Sequence, residues 1–172
     1  MKTEHDFRYC PMCASQFEKK EHNLFVCPNC HLHFYINPKL CNSVILENEK
    51  GEILLVRRAR DPHKGLWDLA GGFVDLSENL ESSVHRELME ELHIKIDQIR
   101  YLGSVHDSYI YQGITMQTLC ALFFGKIDSN APIKVDDDVS ESHFFAKKDI
   151  PYDDIAFEGI REGLKKYLDS GF

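Results

Sequence analysis

Between Gly71 and Leu92 the chain carries a glycine pair, a short acidic loop and then a strongly patterned helix: Gly71-Gly72-Phe73-Val74-Asp75-Leu76-Ser77-Glu78, followed after six residues by His85-Arg86-Glu87-Leu88-Met89-Glu90-Glu91-Leu92. Leu80, Val84, Leu88 and Leu92 recur at helical spacing, and Ser77 is the expected N-cap. At about 100° per residue, Glu91 lies near +40° and Glu90 near −60° from Glu87. The leucine stripe lies at about +20° to +140° on the same wheel. Three carboxylates therefore share an edge with the core-facing stripe. Taken alone, this pattern fits either a solvated acidic face or an oxygen-ligand site for a divalent cation, with Mg²⁺ or Mn²⁺ suited to carboxylates and water.

Counted from Gly72, the spacing is G-x(5)-E-x(7)-R-E-U-x-E-E-x-H-I, where U is apolar. It resembles the Nudix box, G-x(5)-E-x(7)-R-E-U-x-E-E-x-G-U, and every charged position matches. His93 stands where the family usually has glycine. The stretch from Arg57-Arg58-Ala59-Arg60 to Gly65-Leu66-Trp67-Asp68-Leu69-Ala70 resembles the strand and loop leading into such a box, with Ala70 where proline is common. The resemblance implies Mg²⁺- or Mn²⁺-dependent hydrolysis of a nucleoside diphosphate linked to another group. By match to the box, Glu87, Glu90 and Glu91 are the implied catalytic metal ligands, with the Gly71 carbonyl as a further ligand. Gly72, Glu78 and Arg86 are the implied structural residues of the loop, Glu78 pairing with Arg86. Glu141, outside the box, is the candidate for a further base or ligand. Arg58 is the candidate contact to substrate phosphates.

Two further pairs constrain the N-terminal region. Cys10-Pro11-Met12-Cys13 and Cys27-Pro28-Asn29-Cys30 are separated by thirteen residues. Two such knuckles can converge on one tetrahedral Zn²⁺. A segment of about 40 residues buries little core, and a metal would stabilise it. A redox dithiol and a pair of disulfides are the alternatives, and neither suits two repeated knuckles in a reducing compartment. Four thiolates leave no open position, so this zinc is expected to be structural. His31 and His33 read as surface or packing residues, and Cys41 and Cys120 as small core residues. The knuckles and the following Tyr35-Ile36-Asn37-Pro38 resemble the ribbon preceding some Nudix hydrolases, including NADH pyrophosphatases. The Ser-Gln-Pro-Trp-type signature of NADH pyrophosphatases is absent. ADP-ribose, FAD, NAD(H) and nucleotide sugars all stay open as substrates.

Strands are expected at 44–47, 53–58, 99–105, 115–125 and 142–146, with a long loop at 59–72 and a closing helix over 155–168. Trp67, Phe73 and Tyr109 read as packing residues rather than base-stacking ones, and Asp136–Asp138 as a solvated turn. The expected architecture is an α/β (α+β) Nudix-type α/β/α sandwich with a mixed sheet, preceded by a zinc ribbon. The expected domains are 1–40 and 41–172. A net charge of −8 over 172 residues argues against general nucleic-acid binding. No run approaches 18 apolar residues and residues 1–6 lack a leader pattern, so a cytoplasmic protein with no membrane span is expected. Homodimerisation, common in the family, is a possibility. A nucleotide-sensing or partner-binding module without turnover is the rival reading, although a pure sensor has no need of all three box acids. A non-hydrolytic relative such as an isopentenyl diphosphate isomerase fits the strict box and the ribbon less well.

Overall fold

A computed structural model describes residues 2–3 and 7–169. Positions 1, 4–6 and 170–172 lie outside the described residues. The leader reading of residues 1–6 and the outer ends of the two expected domains fall partly on them. The elements are β1 (Lys2–Thr3), β2 (Glu18–Lys19), β3 (Leu24–Val26), β4 (His33–Tyr35), β5 (Lys39–Glu47), β6 (Ile53–Arg58), β7 (Trp67–Asp68), α1 (Leu80–Leu92), β8 (Ile99–Tyr111), β9 (Ile114–Lys126), β10 (Val139–Phe145) and α2 (Glu158–Asp169). Two compact units result: 1–39 with 108–117, and 40–107 with 118–172.

In the second unit, strands β9, β5, β6 and β10 lie side by side, with β8 on β9 and β7 on β6. The sheet is mixed: β10, β5 and β7 run antiparallel to β6, whereas within the first unit Lys2–Thr3 pair parallel with Ile114–Thr115 of β9. Strand periodicity sorts the side chains onto two faces. Val44 and Leu46, Leu54 and Val56, and Ala121 and Phe123 join α1 residues Val84, Leu88 and Leu92 in one core. Their neighbours Ile45, Ile53, Leu55, Cys120 and Leu122 join α2 residues Ile160, Leu164 and Tyr167 in the other. One helix on each face is the expected sandwich. Among the described residues, no helix is long and apolar enough to cross a membrane.

Several local expectations shift. Asn79, not Ser77, caps α1: its side chain accepts from the Ser82 N–H at 2.7 Å. Ser77 instead takes a left-handed turn conformation, φ 72°. At the other end His93 is left-handed, φ 56°, with its N–H turned back to the Leu88 and Met89 carbonyls. The backbone conformation that favours glycine is therefore present, and histidine adopts it. The long loop contains β7, and β8 and β9 extend to a two-residue turn at Gln112-Gly113, where both residues have positive φ. The closing helix starts at Glu158, three residues later than expected, after a single 3-10 turn at Tyr152–Asp154.

The first unit packs Phe17, Phe25 and Ile36 around Cys10 and Cys27. The small three-stranded sheet β2-β3-β4 carries this core.

Candidate active site and metal centres

The glycine pair is held between β5 and α1. Asn42 donates its N–H to the Gly72 carbonyl at 2.9 Å, and Val44 donates to Ala70 at 2.9 Å. Gly71 has φ +143°, and a Cβ there would stand 2.3 Å from the Asn42 carbonyl oxygen. At Gly72 the obstacle is a carboxylate: a Cβ would meet Glu87 Oε1 at 2.5 Å. Only glycine lets the loop backbone lie this close to the helix acids.

The three box glutamates occupy different environments. Glu91 is 7% exposed and accepts the Gly71 N–H on Oε2 at 3.0 Å. It has no ion-pair partner among the described residues. Burial pushes its carboxyl well above the usual range, and the nearby Glu87, Asp68 and Asp138 carboxylates add to this. Burial also raises Glu87, against the pull of the Arg86 guanidinium. Glu90 is more exposed and pairs with Arg86 Nη1 at 2.9 Å.

Arg86 is the hub. Its Nε and Nη2 donate to the two oxygens of Glu78 at 2.9 and 3.0 Å. Nη1 donates to Glu87 Oε1 at 2.8 Å, and Nη2 also reaches the Phe73 carbonyl at 2.9 Å. The bidentate pair holds Glu78 below the usual carboxylate range and ties the loop to the helix. One guanidinium thus serves three acids and leaves Glu91 uncompensated.

These residues fit a hard divalent cation: the donors are carboxylate and carbonyl oxygens, Glu91 is buried and Glu87 half-buried, and the glycine backbone leaves room where a Cβ would collide. The three glutamates are not gathered into one tight cage. Among the described residues, the four cysteines form the one group of three or more His, Cys, Asp or Glu whose ligand atoms all lie within 4.8 Å of one another.

The cysteine site has the shape of a zinc knuckle pair. Cys10 and Cys30 Sγ are 3.5 Å apart, as are Cys13 and Cys27. A tetrahedral Zn²⁺ with sulfurs at about 2.3 Å sets them roughly 3.8 Å apart. The two knuckles share one backbone design. Ala14 and His31, each following a second cysteine, both have φ 58°. Each returns its N–H to the first cysteine's carbonyl, at 2.9 and 3.0 Å. His31 is thus part of a turn.

The other sequence candidates lie in structural contacts. Arg58 donates to Asp68 Oδ2 at 3.0 Å and to the Pro62 carbonyl at 2.8 Å, and lies over the Phe157 ring. Glu141 is paired across the sheet with Arg57, Nε to Oε2 2.8 Å, beside a bulge between Val139 and Glu141. Arg57 in turn stacks 4.1 Å over Trp67, which is buried, so Trp67 is not open to a base. Asp136–Asp138 are exposed, and the Asp136 N–H also bonds the Glu91 carbonyl oxygen at 3.0 Å, covering the end of α1.

Sequence reasoning missed Asp68, Asn42 and Ser83. Asp68 is buried, and burial lifts its carboxyl to about 6 in spite of Arg58. Its signal was a charged residue between Trp67 and Leu69 in an apolar strand. Asn42 and Ser83 carried none.

A family model described as NUDIX domain matches residues 39–167. The NAD-capped RNA hydrolase NudC of Pseudomonas aeruginosa is 26% identical over 145 residues, which are 84% of this chain and 49% of that protein. The chain spans about half the length of the curated relatives it matches. Among solved structures, a NUDIX hydrolase from Nitrosomonas europaea superposes with TM-score 0.71 at 27% identity, covering 96% of this chain and 92% of that one. The NUDIX domain of Shewanella oneidensis NrtR, solved with ADP ribose, shares the fold with TM-score 0.66 at 22% identity, over 79% of this chain and 90% of that one.

Proposed function

Because the chain belongs to the NUDIX family, we propose that it is a divalent-metal-dependent pyrophosphohydrolase. It cleaves the diphosphate of a nucleoside diphosphate linked to another group, giving a nucleoside monophosphate and a second phosphate product. The observation that carries this reading is the close packing of the Gly71-Gly72 backbone on the buried carboxylate of Glu91 and the half-buried one of Glu87. A buried acid without a cationic partner is costly, and a bound divalent cation removes that cost.

In this reading Glu87, Glu90 and Glu91 hold Mg²⁺ or Mn²⁺, with the Gly71 carbonyl as a further ligand. When bound, the ion neutralises diphosphate oxygens and lowers the pKa of the attacking water. Arg86 and Glu78 keep the loop on the helix and hold Glu87 and Glu90 in reach. Glu141 is the candidate base or further ligand from outside the box. Residues 1–40 form a ribbon around a structural Zn²⁺ held by Cys10, Cys13, Cys27 and Cys30, and 41–172 form the hydrolase domain. The protein works in the cytoplasm, and homodimerisation is open to a direct mass measurement.

NAD-type dinucleotides, free or as the cap of an RNA, come first among substrates, because the curated relatives are named for that activity. ADP-ribose, FAD and nucleotide sugars follow. The test is a hydrolysis screen of these compounds with Mg²⁺ and with Mn²⁺, products resolved by chromatography. Release of a nucleoside monophosphate from one of them supports the reading. Tight binding with no product from any would replace it with a sensor.

A further inference from the structure

Beneath the glycine loop lies a buried polar pair that the reaction does not itself call for. Asn42 is 1% exposed and Ser83 0%. Asn42 Nδ2 donates to Ser83 Oγ at 2.8 Å, joining β5 to α1. The surrounding strand and helix residues on this face, Val44 and Val84 among them, are core hydrophobes. Asn42 Oδ1 has no hydrogen-bond partner although it is buried. An unpaired buried carbonyl oxygen is destabilising, and a valine of similar size would avoid it. Stability therefore does not explain the amide.

Its connections do. The Asn42 backbone holds the Gly72 carbonyl through its N–H, and its own carbonyl oxygen sets the close approach at Gly71. Its side chain holds Ser83. Ser83 Oγ receives Arg86 Nη2 at 3.3 Å, and the same guanidinium holds the Glu78 carboxylate. Arg86 then reaches Glu87 and Glu90. One residue of β5 thus grips the loop with its backbone and the helix with its amide. The loop side carries Gly71, bonded to Glu91, and the helix side carries the arginine that orients Glu87.

We infer that Asn42 is a positioning residue: acting through Ser83, it fixes the carboxylate helix relative to the glycine loop and so sets the affinity of the site for its divalent cation. The inference rests on the proposed function and concerns the same site. Loss of an outer residue that orients metal ligands typically costs about 10- to 100-fold in metal affinity or activity.

The experiment uses the zinc-loaded full chain and three variants, Asn42→Val, Ser83→Ala and the double variant, with Glu91→Gln as reference. Free Mn²⁺ is followed by electron paramagnetic resonance during titration, and thermal unfolding is recorded in parallel. Each single variant should weaken Mn²⁺ binding about tenfold, and the double variant no further than the weaker single, because both changes cut one connection. The melting temperature should hold or rise in Asn42→Val and in the double variant, and fall in Ser83→Ala, where the buried Asn42 amide loses its acceptor. Wild-type Mn²⁺ affinity in both single variants overturns the inference, as does a weakening in Asn42→Val matched by a fall in its melting temperature or one that multiplies in the double variant. If Asn42→Val fails to fold, Ser83→Ala decides alone through its Mn²⁺ affinity, and wild-type affinity there overturns the inference. A wild-type chain that binds Mn²⁺ no better than Glu91→Gln overturns the metal reading itself, and this inference with it.

Discussion

Gly71 donates its backbone N–H to Glu91 Oε2 at 3.0 Å, so the loop and the most buried acid of the helix are read against each other directly. No ion pair reaches Glu91 among the described residues, and its carboxyl sits well above the usual range because of burial. Replacing Glu91 with Gln removes a buried charge and keeps the shape. Turnover should fall about a hundredfold or more, since a bound catalytic metal supplies several kcal/mol of transition-state stabilisation, while the melting temperature stays or rises. Steady-state hydrolysis and calorimetry on the same sample check both halves. Near-normal turnover would remove Glu91 from the site.

The two glycines should fail in different ways. At Gly72 an added methyl meets only the end of Glu87, at 2.5 Å from Oε1, and that side chain can swing aside. Gly72→Ala should keep its melting temperature and lose metal affinity. At Gly71 the methyl meets backbone, 2.3 Å from the Asn42 oxygen and 2.8 Å from the Ser43 Cα, at φ +143°. Gly71→Ala should cost about 3 kcal/mol, roughly a 6–12 °C drop in melting temperature for a chain of this size. Equal melting temperatures for the two variants would contradict the packing described.

The sequence showed the parts of this fold whose pattern repeats. The apolar runs Val44-Ile45-Leu46 and Ile53-Leu54-Leu55-Val56 announced strands, and the Leu80-Val84-Leu88-Leu92 stripe announced α1. It was weaker where two residues compete for one role. Ser77 and Asn79 are both good caps, and only the reach of the Asn79 side chain to Ser82 decides between them. The full length of β8 was hidden because His106, Asp107 and Ser108 are polar, and pairing with β9 holds them in a strand all the same. Buried polar residues were the hardest to read. Asn42 and Glu47 look like any other polar residues until their neighbours are known.

Arg58 offers a clean separation of two roles. Its side chain is bonded to Asp68, and burial already lifts that carboxyl to about 6 with Arg58 in place. Replacing Arg58 with Met leaves a buried acid without its cation, at a cost of about 3 kcal/mol. The loss should be smaller in acid, where Asp68 is protonated, and grow as the pH rises through its titration. Melting curves across pH test this. A raised KM with an unchanged melting temperature would point instead to a contact with substrate phosphates.

The ribbon should depend on its metal. Elemental analysis should find one zinc per chain, and Cys27→Ala should abolish it. Phe17, Phe25 and Ile36 pack directly around the cysteines, so metal loss removes the centre of that small core. Hydrogen exchange should then accelerate across residues 7–39 and leave α1 and its strands protected. Equal protection of residues 7–39 with and without zinc would show that the ribbon holds without it.

Glu47 should set the acid stability of the second unit. It is 7% exposed at the end of β5 and gathers Lys126 from the end of β9, Lys147 at 2.7 Å and the Tyr167 hydroxyl of α2 at 3.0 Å. Burial alone would raise its carboxyl, but the two ammonium groups and the hydroxyl outweigh it and bring it down to about 2. The folded pKa lies below the unfolded value, so the contribution is fully present above about pH 4.5 and is lost as the pH falls towards 2. Glu47→Gln should lose about 2 kcal/mol at neutral pH, and the gap to wild type should close on acidification through that window. Denaturant unfolding at pH 7 and at pH 3 measures it. A gap that stays constant between the two would mean that the carboxylate's charge does no more than its shape.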